Sequence, residues 1–263
     1  MSERADPRGP VRAVGKAMEL LDVLMEGRKP LSLQELCSRG GLPKSTAHAL
    51  LSTLREYGMI EQAADGRYCL GIRLYEYGCA VSAMWDVRQA ASPYLEQLAH
   101  RTGAGAYLAL RSGFHVISID NCTAGSGTGL QVMAETGVPL PLHATAQGKL
   151  LLAFLPESEV GRYVRQCGLA PCTRHTVQTA EELSAELEQI RRQGYAVEDG
   201  EYKVGLRSVA APVYDAQGQP AYALGVVGLF RRVASEEFQA AVAHTTELAA
   251  LLSRAIGYRP KTQ

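Results

Sequence analysis

The sequence has no excess of charge of either sign, because 27 basic residues balance 27 acidic ones among its 263 residues. Residues 1–80 are nearly balanced as well, with eleven basic and ten acidic side chains. Proteins that bind nucleic acid usually carry a basic surplus that neutralises phosphates. Net charge therefore gives no support to nucleic-acid binding, and any support must come from where individual charges lie.

The sequence also contains no membrane-length apolar run and no disulfide framework, and we expect no secretory signal. The first ten residues, MSERADPRGP, are charged and contain no apolar core, so we expect residues 1–10 to be a flexible tail. The six cysteines are scattered, at Cys37, Cys69, Cys79, Cys122, Cys167 and Cys172. We expect reduced thiols, a cytoplasmic location and no membrane partner.

Motifs for catalysis, phosphate binding and metal binding are absent or incomplete. The glycines of 125–129 precede a strand-like segment and lack the lysine of a phosphate-binding loop. Cys167, Cys172 and His175 would supply three zinc ligands, but no fourth lies nearby. There is no nucleophile elbow, and His143 near Thr145 is only a weak hint of a triad. We predict no enzyme activity, cofactor or metal, and keep a small-molecule enzyme as an alternative.

What the sequence does contain is a helix-turn-helix pattern. A first helix is predicted from apolar residues at helical spacing, namely Val14, Ala17, Leu20, Leu21 and Leu24. Ser32 and Glu35 form a capping box that starts a second helix, which ends at Gly40-Gly41. Pro43 suits the first turn of a third helix. This arrangement is typical of a DNA-binding module.

The third helix is predicted to present a polar face. Its apolar stripe consists of Ala47, Leu50, Leu51 and Leu54. The other side carries a cation, hydroxyls and an imidazole near the helix N-terminus, where the dipole favours phosphate: Lys44, Ser45, His48, Ser52 and Arg55. Two short strands around Asp65-Gly66 then predict a β-hairpin wing, with Arg67 leading back from its tip. Small three-helix units with a hairpin also dock proteins, so spacing alone leaves both functions open.

Residues 72–90 are predicted to form a linker helix, with Gly78 as its candidate break. The apolar surface of this segment exceeds what a solvated linker needs. Pairing with a second copy of the chain and local packing against either domain both account for that surface, and the sequence does not choose between them.

Residues 91–258 are predicted to form an α+β domain, followed by a tail at 259–263. The predicted strands are Ala106–Arg111, His115–Asp120, Leu130–Ala134, Tyr195–Glu198, Ser208–Tyr214 and Ala221–Gly228. The predicted helices are Pro93–Arg101, Thr145–Leu155, one from Thr179 to Gly194, and one from Ser235 towards Gly257. Strands and hairpins segregated from helices indicate a sheet covered by helices.

This second domain contains a candidate ligand pocket. The segment Pro141–Lys149 leads into a helix, so amides around Thr145, Ala146 and Gln147 are predicted to be free for an anion. Polar residues at 198–201 and 205–208 lie at the margins of the predicted sheet, as a small-ligand pocket requires. The alternative is an internal ion-pair network that holds these loops together.

The motifs of both domains resemble those of IclR-type transcription regulators. The first is Leu33-x-Glu35-Leu36, then Gly41-Leu-Pro-Lys-Ser-Thr46, then Gly66-Arg-Tyr-x-Leu-Gly71. The second is Pro141-Leu-His-Ala-Thr-Ala-x-Gly-Lys149, then Gly205-x-Arg-Ser-Val-Ala-Ala-Pro-Val-Tyr-Asp215. The resemblance spans about residues 11–257. It implies a winged helix-turn-helix at 11–71, a linker helix, and a GAF-like effector-binding domain with an antiparallel sheet.

The resemblance also implies a function. Family members work as homodimers or tetramers, bind double-stranded operator DNA, and repress or activate catabolic operons in response to a small metabolite. A metabolite-binding module without DNA activity is the alternative. By position, the DNA-contacting residues are Lys44, Ser45, Thr46 and His48 on the recognition helix and Arg67 on the wing.

The same resemblance places an effector pocket in the second domain. Its residues, together with His143 and Thr145 of the helix-leading segment, are Val132, Leu140, Ala146, Gln147, Glu198, Ser208, Gly225 and Val227. Glu198 stands where the family commonly has aspartate, Gly200 replaces a frequent acid, and Ser208 stands where cysteine is common. Gly225 and Val227 occupy positions that are serine in some acid-binding members, which removes two hydroxyl donors. We therefore expect an organic or aromatic acid larger or more apolar than a two- or three-carbon acid.

Overall fold

The computed structural model describes residues 11–27, 29–83, 86–124 and 132–260. The predicted tail at 1–10 and the glycine loop at 125–129 lie outside these residues. The chain divides into two compact units, Met1–Trp85 and Asp86–Gln263, which are described separately. In the part of the chain that is described, no helix combines the length and apolarity needed to cross a membrane.

The first unit is a three-helix core with a β-hairpin. Its elements are α1 (Arg12–Gly27), α2 (Leu33–Gly40), α3 (Lys44–Glu56), β1 (Ile60–Gln62), β2 (Tyr68–Leu70) and α4 (Ile72–Ala83). The predicted capping box is present, because the Glu35 amide donates to Ser32 Oγ at 3.3 Å and the Ser32 amide donates to Glu35 Oε2 at 2.8 Å. Gly41 ends α2 in the left-handed conformation, with φ of 61°.

The core of this unit is built from the apolar stripes of the three helices together with Leu31 and the wing residues Ile60 and Tyr68. Leu20, Leu36, Leu51 and Ile60 are all at most 1% exposed. The hairpin pairs Ile60 with Leu70 and Gln62 with Tyr68, and Leu31 adds a bridge to Tyr68. The predicted winged helix-turn-helix is therefore confirmed.

The predicted linker region contains two helices instead of one. Helix α4 runs through Gly78 without a break, and α5 (Asp86–Thr102) begins the second unit. The predicted helix start at Pro93 is wrong, because Pro93 lies inside α5. Proline removes one helical hydrogen bond, but complete burial of Ala91 and Leu98 on the same helix outweighs that loss.

The second unit is a six-stranded antiparallel sheet. Its strands are β3 (Gly105–Ser112), β4 (His115–Cys122), β5 (Pro139–Pro141), β6 (Ala196–Asp199), β7 (Arg207–Tyr214) and β8 (Pro220–Gly228), in the spatial order β5-β4-β3-β8-β7-β6. The remaining helices are α6 (Ala146–Ala153), α7 (Glu157–Cys167), α8 (Ala180–Gln193) and α9 (Glu236–Ala255). The α+β fold class is therefore confirmed.

The sheet separates two helical layers. Tyr107, Ala210 and Ala223 belong to the same buried cluster as Leu150 of α6 and Leu187 of α8. The alternate strand residues, such as Leu108 and Leu224, are also fully buried and face the opposite layer, where α5 and α9 lie. Burial on both sides explains the nearly continuous apolar runs of the central strands.

Three elements differ from the sequence-based expectation. Helix α7 was not predicted because only Tyr163 of its eleven residues is buried, which leaves a weak apolar stripe. Strand β5 was not predicted because two of its three residues are prolines, which are tolerated here at the edge of the sheet. Of the predicted strand Leu130–Ala134, residues 130 and 131 lie outside the described residues, and Val132–Ala134 is not a strand.

Candidate functional site

The outward face of α3 is free in the first unit. Lys44, Ser45, His48 and Ser52 are exposed, and no hydrogen bond or ion pair engages their side chains within the described residues. Thr46 is half-buried beside the fully buried Ala47. A cation, two hydroxyls and an imidazole therefore project together from a helix whose opposite side packs into the core.

Arg55 differs from the other predicted DNA-contacting residues because it is already engaged. Its Nη1 donates to Gln62 Oε1 at 2.7 Å, and Gln62 Nε2 donates to the Gly66 carbonyl at 3.0 Å. Arg67 forms only a loose, exposed ion pair with Asp65, at 3.5 Å. The end of α3 is thus joined to the wing through Gln62, a residue that the sequence reasoning did not single out.

In the second unit, strand pairing aligns the predicted effector residues in one row across the sheet. Glu198 pairs with Ser208, Ser208 with Val227, and Val227 with Gly105. The carbonyl of Val132 lies directly over Gly105, where any β-carbon would overlap it. The structure therefore brings Glu198, Ser208, Val227 and Val132 to one end of the face that α6 covers.

Glu198 is the acidic group of this row and is only 3% exposed. Its Oε2 accepts from Ser208 Oγ at 3.1 Å, and its Oε1 accepts from the Tyr202 amide at 3.1 Å. Burial raises the pKa of Glu198 to about 7, although both hydrogen bonds act to lower it. Near neutral pH this carboxyl is thus partly protonated and able to donate as well as accept.

The next row is Ala196, Ala210, Gly225 and Tyr107, paired in that order. Tyr107 is 1% exposed, and its hydroxyl lies 3.4 Å from the Val209 carbonyl on β7. A β-carbon at Gly225 would overlap this hydroxyl and the Val209 carbonyl oxygen. Gly225 is therefore not an open space left by a missing serine, because the phenol of Tyr107 already fills it.

Helix α6 begins above this face with unpaired amides. Thr145 caps the helix by accepting from the Gly148 amide at 3.2 Å, and its hydroxyl donates to the Pro141 carbonyl at 3.0 Å. Among the described residues, no acceptor reaches the backbone amides of Ala146 and Gln147 or the Gln147 side chain. Ala146 and Gln147 are nevertheless buried, at 0% and 5% exposed.

The cation of this segment, Lys149, is paired with acidic side chains inside the protein. It is 2% exposed, and its Nζ lies 2.6 Å from Glu201 Oε1 and 2.8 Å from Glu186 Oε2. Burial raises the pKa of Glu201, and Lys149 offsets part of that rise. The alternative of internal ion pairs therefore holds for Lys149 with Glu186 and Glu201. It holds also for Arg207, whose Nε lies 2.6 Å from Asp199 Oδ1. Glu198 forms no ion pair among the described residues.

Three other predicted effector residues, His143, Leu140 and Thr145, already have hydrogen-bond or packing partners within the protein. The ring nitrogens of His143 lie 2.6 Å from the Tyr163 hydroxyl and 3.0 Å from the Ala170 carbonyl, and burial lowers its pKa. Leu140 pairs with Val116 and packs against the core cluster. The Thr145 hydroxyl serves the helix cap. His143 and Thr145 therefore shape the site and have little capacity left for a ligand.

Cys167, Cys172 and His175 were the sequence's candidate zinc ligands. Among the residues that the structure describes, no group of three histidine, cysteine or acidic side chains is placed to hold a metal ion. Cys167 and Cys172 are exposed free thiols.

Comparison with known proteins gave consistent matches to both units. Residues 79–254 match the model of the bacterial transcriptional regulator IclR C-terminal domain, and residues 13–64 match the IclR helix-turn-helix domain. The chain is 34% identical over 252 residues to the HTH-type transcriptional regulator XynR of Escherichia coli, covering 94% of this chain and 98% of that protein. It is 29% identical to the transcriptional repressor IclR of E. coli, covering 88% and 85%.

A solved structure also matches across both units of the chain. The IclR-type transcriptional regulator of Alicyclobacillus acidocaldarius is 29% identical, with a TM-score of 0.81, and the match covers 95% of this chain and 100% of that one. Both named relatives and the matched family are transcription regulators, which agrees with the prediction that the chain is not an enzyme.

Proposed function

Because the chain belongs to the IclR family of bacterial transcription regulators, we propose that it binds operator DNA as a homodimer or tetramer and changes its DNA affinity when a small organic acid binds the second unit. The observation that supports this proposal is that one chain contains two such sites. The first is the polar face of α3, whose side chains have no partners among the described residues. The second is the buried polar site of the second unit, where the amides of Ala146 and Gln147 are unpaired. A catabolic operon is the proposed target, and the cytoplasm the proposed compartment.

For the DNA contact, we assign the recognition role to α3. Lys44 and Ser45 lie in its first turn, where the helix dipole adds to the attraction for phosphate, and His48 and Ser52 follow along the same free face. The Arg55–Gln62–Gly66 contacts hold the wing against the end of α3. Arg67 is assigned to the DNA backbone, since its exposed ion pair with Asp65 contributes little and is easily exchanged.

For the effector, the proposed ligand is an organic or aromatic acid. The free amides of Ala146 and Gln147 at the start of α6 suit a carboxylate. Glu198, Ser208 and Gln147 supply further hydrogen-bonding groups beside the apolar Val227. The site lies in a six-stranded antiparallel sheet covered by helices, which is consistent with a GAF-like domain.

For the oligomer, exposed apolar residues on α1 and α4 support pairing with a second copy. Ile72 and Tyr75 of α4 are 63% and 69% exposed, and Val14 and Met18 of α1 are 59% and 53% exposed. A dimer places two recognition helices on half-sites about 34 Å apart or a multiple of that distance. The effector alters DNA affinity only through different affinities for two arrangements of these helices.

The experiment is titration of a fluorescent fragment from the chain's own upstream intergenic region with the full chain at several salt concentrations. We expect sequence-selective binding by the wild type. Lys44→Ala should weaken binding to all fragments by similar factors and reduce the salt slope by about one. The control, Lys203→Ala, changes an exposed lysine of the second unit and should leave both quantities unchanged. An unaltered salt slope for Lys44→Ala would remove Lys44 from the interface, and no binding by the wild type would refute the function.

A further inference from the structure

A cavity of about 320 Å³ lies between two loops of the second unit. Arg174 and His175 line it from the loop between α7 and α8, and Asp199 and Arg207 line it from the ends of β6 and β7. Side chains alternate along a strand, so Asp199 and Arg207 point to the opposite side from the row that contains Glu198. The cavity is therefore separate from the predicted effector site.

The two loops are held together by hydrogen bonds that do not depend on a ligand. Thr173 Oγ1 donates to the Gly200 carbonyl at 2.7 Å, and Thr176 Oγ1 donates to the Glu201 carbonyl at 2.7 Å. The Gly200 amide donates in turn to the Leu206 carbonyl at 2.9 Å, which closes the turn between β6 and β7. A site whose walls are already fixed loses little conformational entropy when a ligand binds.

Arg174 is the exposed cation of this cavity, and most of its guanidinium is unpaired. Its Nε donates to His175 Nε2 at 3.1 Å, which orients the group. Neither of its terminal nitrogens has a hydrogen-bond acceptor, and no acidic side chain pairs with it, among the described residues. A guanidinium edge with two free nitrogens is suited to bind an oxyanion through two parallel hydrogen bonds.

Arg207 is the more buried cation, and it is incompletely bonded. Its Nη1 donates to the Phe230 carbonyl at 2.6 Å. Its Nε lies 2.6 Å from Asp199 Oδ1, but this buried N–H is not aligned with any acceptor in the part of the chain that the structure describes. Asp199 is the only acidic side chain among the residues that line the cavity, so two guanidinium groups face one carboxylate there.

We propose that this cavity binds a phosphate group, held between Arg174 and Arg207. A phosphate presents oxygens in several directions and can accept from two separate guanidinium groups, whereas one guanidinium already satisfies a planar carboxylate. Small-ligand sites have volumes of roughly 300 to 1,000 Å³, so the cavity has room for the organic part of a phosphorylated metabolite as well as for free phosphate. Val204, which is 76% exposed at the rim, offers that organic part an apolar contact.

The test is isothermal titration calorimetry of the full chain at constant ionic strength, with inorganic phosphate, glucose 6-phosphate and glucose as probes. We expect saturable binding of the phosphate-bearing probes and none of glucose. Tighter binding of glucose 6-phosphate than of inorganic phosphate assigns the site to a phosphorylated metabolite, and equal binding assigns it to the free ion. No DNA is present, so the result is independent of operator binding.

Variants at Arg174 locate the site. Arg174→Ala should weaken phosphate binding about tenfold or more, and Arg174→Lys, which keeps the charge but loses the two-nitrogen edge, should also weaken it. The control, Lys203→Ala, removes an exposed cation of the neighbouring turn that does not line the cavity and should bind as the wild type does. Thermal unfolding without phosphate should be the same for all four proteins, since both side chains are exposed.

Asp199→Asn tests the opposing carboxylate. Removal of the only negative charge at the cavity releases Arg207 from its ion pair and should tighten phosphate binding about three- to tenfold. Glu188→Gln makes the same change of charge on α8 and should have no effect. The proposal is overturned if the wild type binds neither phosphate probe saturably, if Arg174→Ala binds as the wild type does, or if Arg174→Ala and Lys203→Ala weaken binding equally.

Discussion

At the scale of single residues, Glu198 combines deep burial with a raised pKa, and this combination has consequences for stability. The carboxyl is held by Ser208 and the Tyr202 amide, yet burial disfavours its charged form. The folded chain therefore binds this proton more tightly than the unfolded chain does. The contribution of Glu198 to stability is greatest below its ordinary pKa of 4.5 and is lost as pH rises through about 7.

Glu198→Gln should remove that pH dependence. The free energy of unfolding of the variant, relative to the wild type, should increase by about 2 to 3 kcal/mol between about pH 5 and about pH 8.5, because only the wild type must hold a buried charge at high pH. Urea unfolding followed by circular dichroism at both pH values measures this difference. Glu188→Gln, at a more exposed carboxyl on α8, is the control and should show no comparable change. If the difference in unfolding free energy between the variant and the wild type did not change with pH, burial would not be raising the pKa of Glu198.

At the scale of elements, the junction between the wing and α4 depends on a close backbone approach. The Gly71 amide donates to the Met59 carbonyl at 2.8 Å, which closes the hairpin just before α4 begins. A β-carbon at Gly71 would overlap the Gly58 carbonyl oxygen, whereas a β-carbon at Gly78, seven residues later in α4, would meet nothing within 4 Å. Position 71 therefore has no room for any side chain, whereas position 78 has room for one.

Alanine substitutions at the two positions should have opposite effects. Gly71→Ala forces the strand junction apart and should destabilise the first unit by about 1 to 3 kcal/mol, with loss of operator affinity as the wing moves. Gly78→Ala should stabilise the helix by about 0.5 to 1 kcal/mol, because alanine loses less backbone entropy than glycine there. Thermal unfolding and operator titration of both variants distinguish the cases. Destabilisation by Gly78→Ala would indicate that a partner packs closely against α4 at that point.

At the scale of the whole molecule, the exposed face of α4 predicts self-association. Ile72 and Tyr75 are three residues apart and so lie on one side of the helix, with more than half of each side chain exposed. A charged side chain at position 75 would be unfavourable in an apolar interface, because it would lose its hydration without gaining a partner. Tyr75→Asp is therefore expected to shift the chain towards smaller species in sedimentation velocity and to weaken operator binding through the loss of one half-site.

The control for this variant carries the same added charge on a surface loop. Gln217→Asp changes an exposed side chain in the turn between β7 and β8 and should leave the sedimentation coefficient and operator affinity as in the wild type. If Tyr75→Asp also left both unchanged, the oligomer would form through another surface.

The same three scales separate what could be predicted from what could not. Local signals were sufficient for the helix-turn-helix, because the Ser32–Glu35 capping box, the left-handed Gly41 and the Asp65-Gly66 turn act within a few residues of chain. Local signals failed for α5, because burial of Ala91 and Leu98 stabilises a helix that continues past Pro93. They failed again for β5, which forms only because β4 offers an edge.

The amino-acid sequence by itself determined the family, the two units and the residue types available at each site, since motif spacing and periodicity depend on neighbours along the chain. Only the tertiary structure decided which of those groups are still free. Strand register brings Tyr107, which precedes Gly225 by 118 residues, over that glycine, so that its phenol occupies the place where a side chain at position 225 would lie. It likewise leaves Lys149 bound to Glu201 and His143 bound to Tyr163, because the availability of a polar group depends on partners that are distant in sequence.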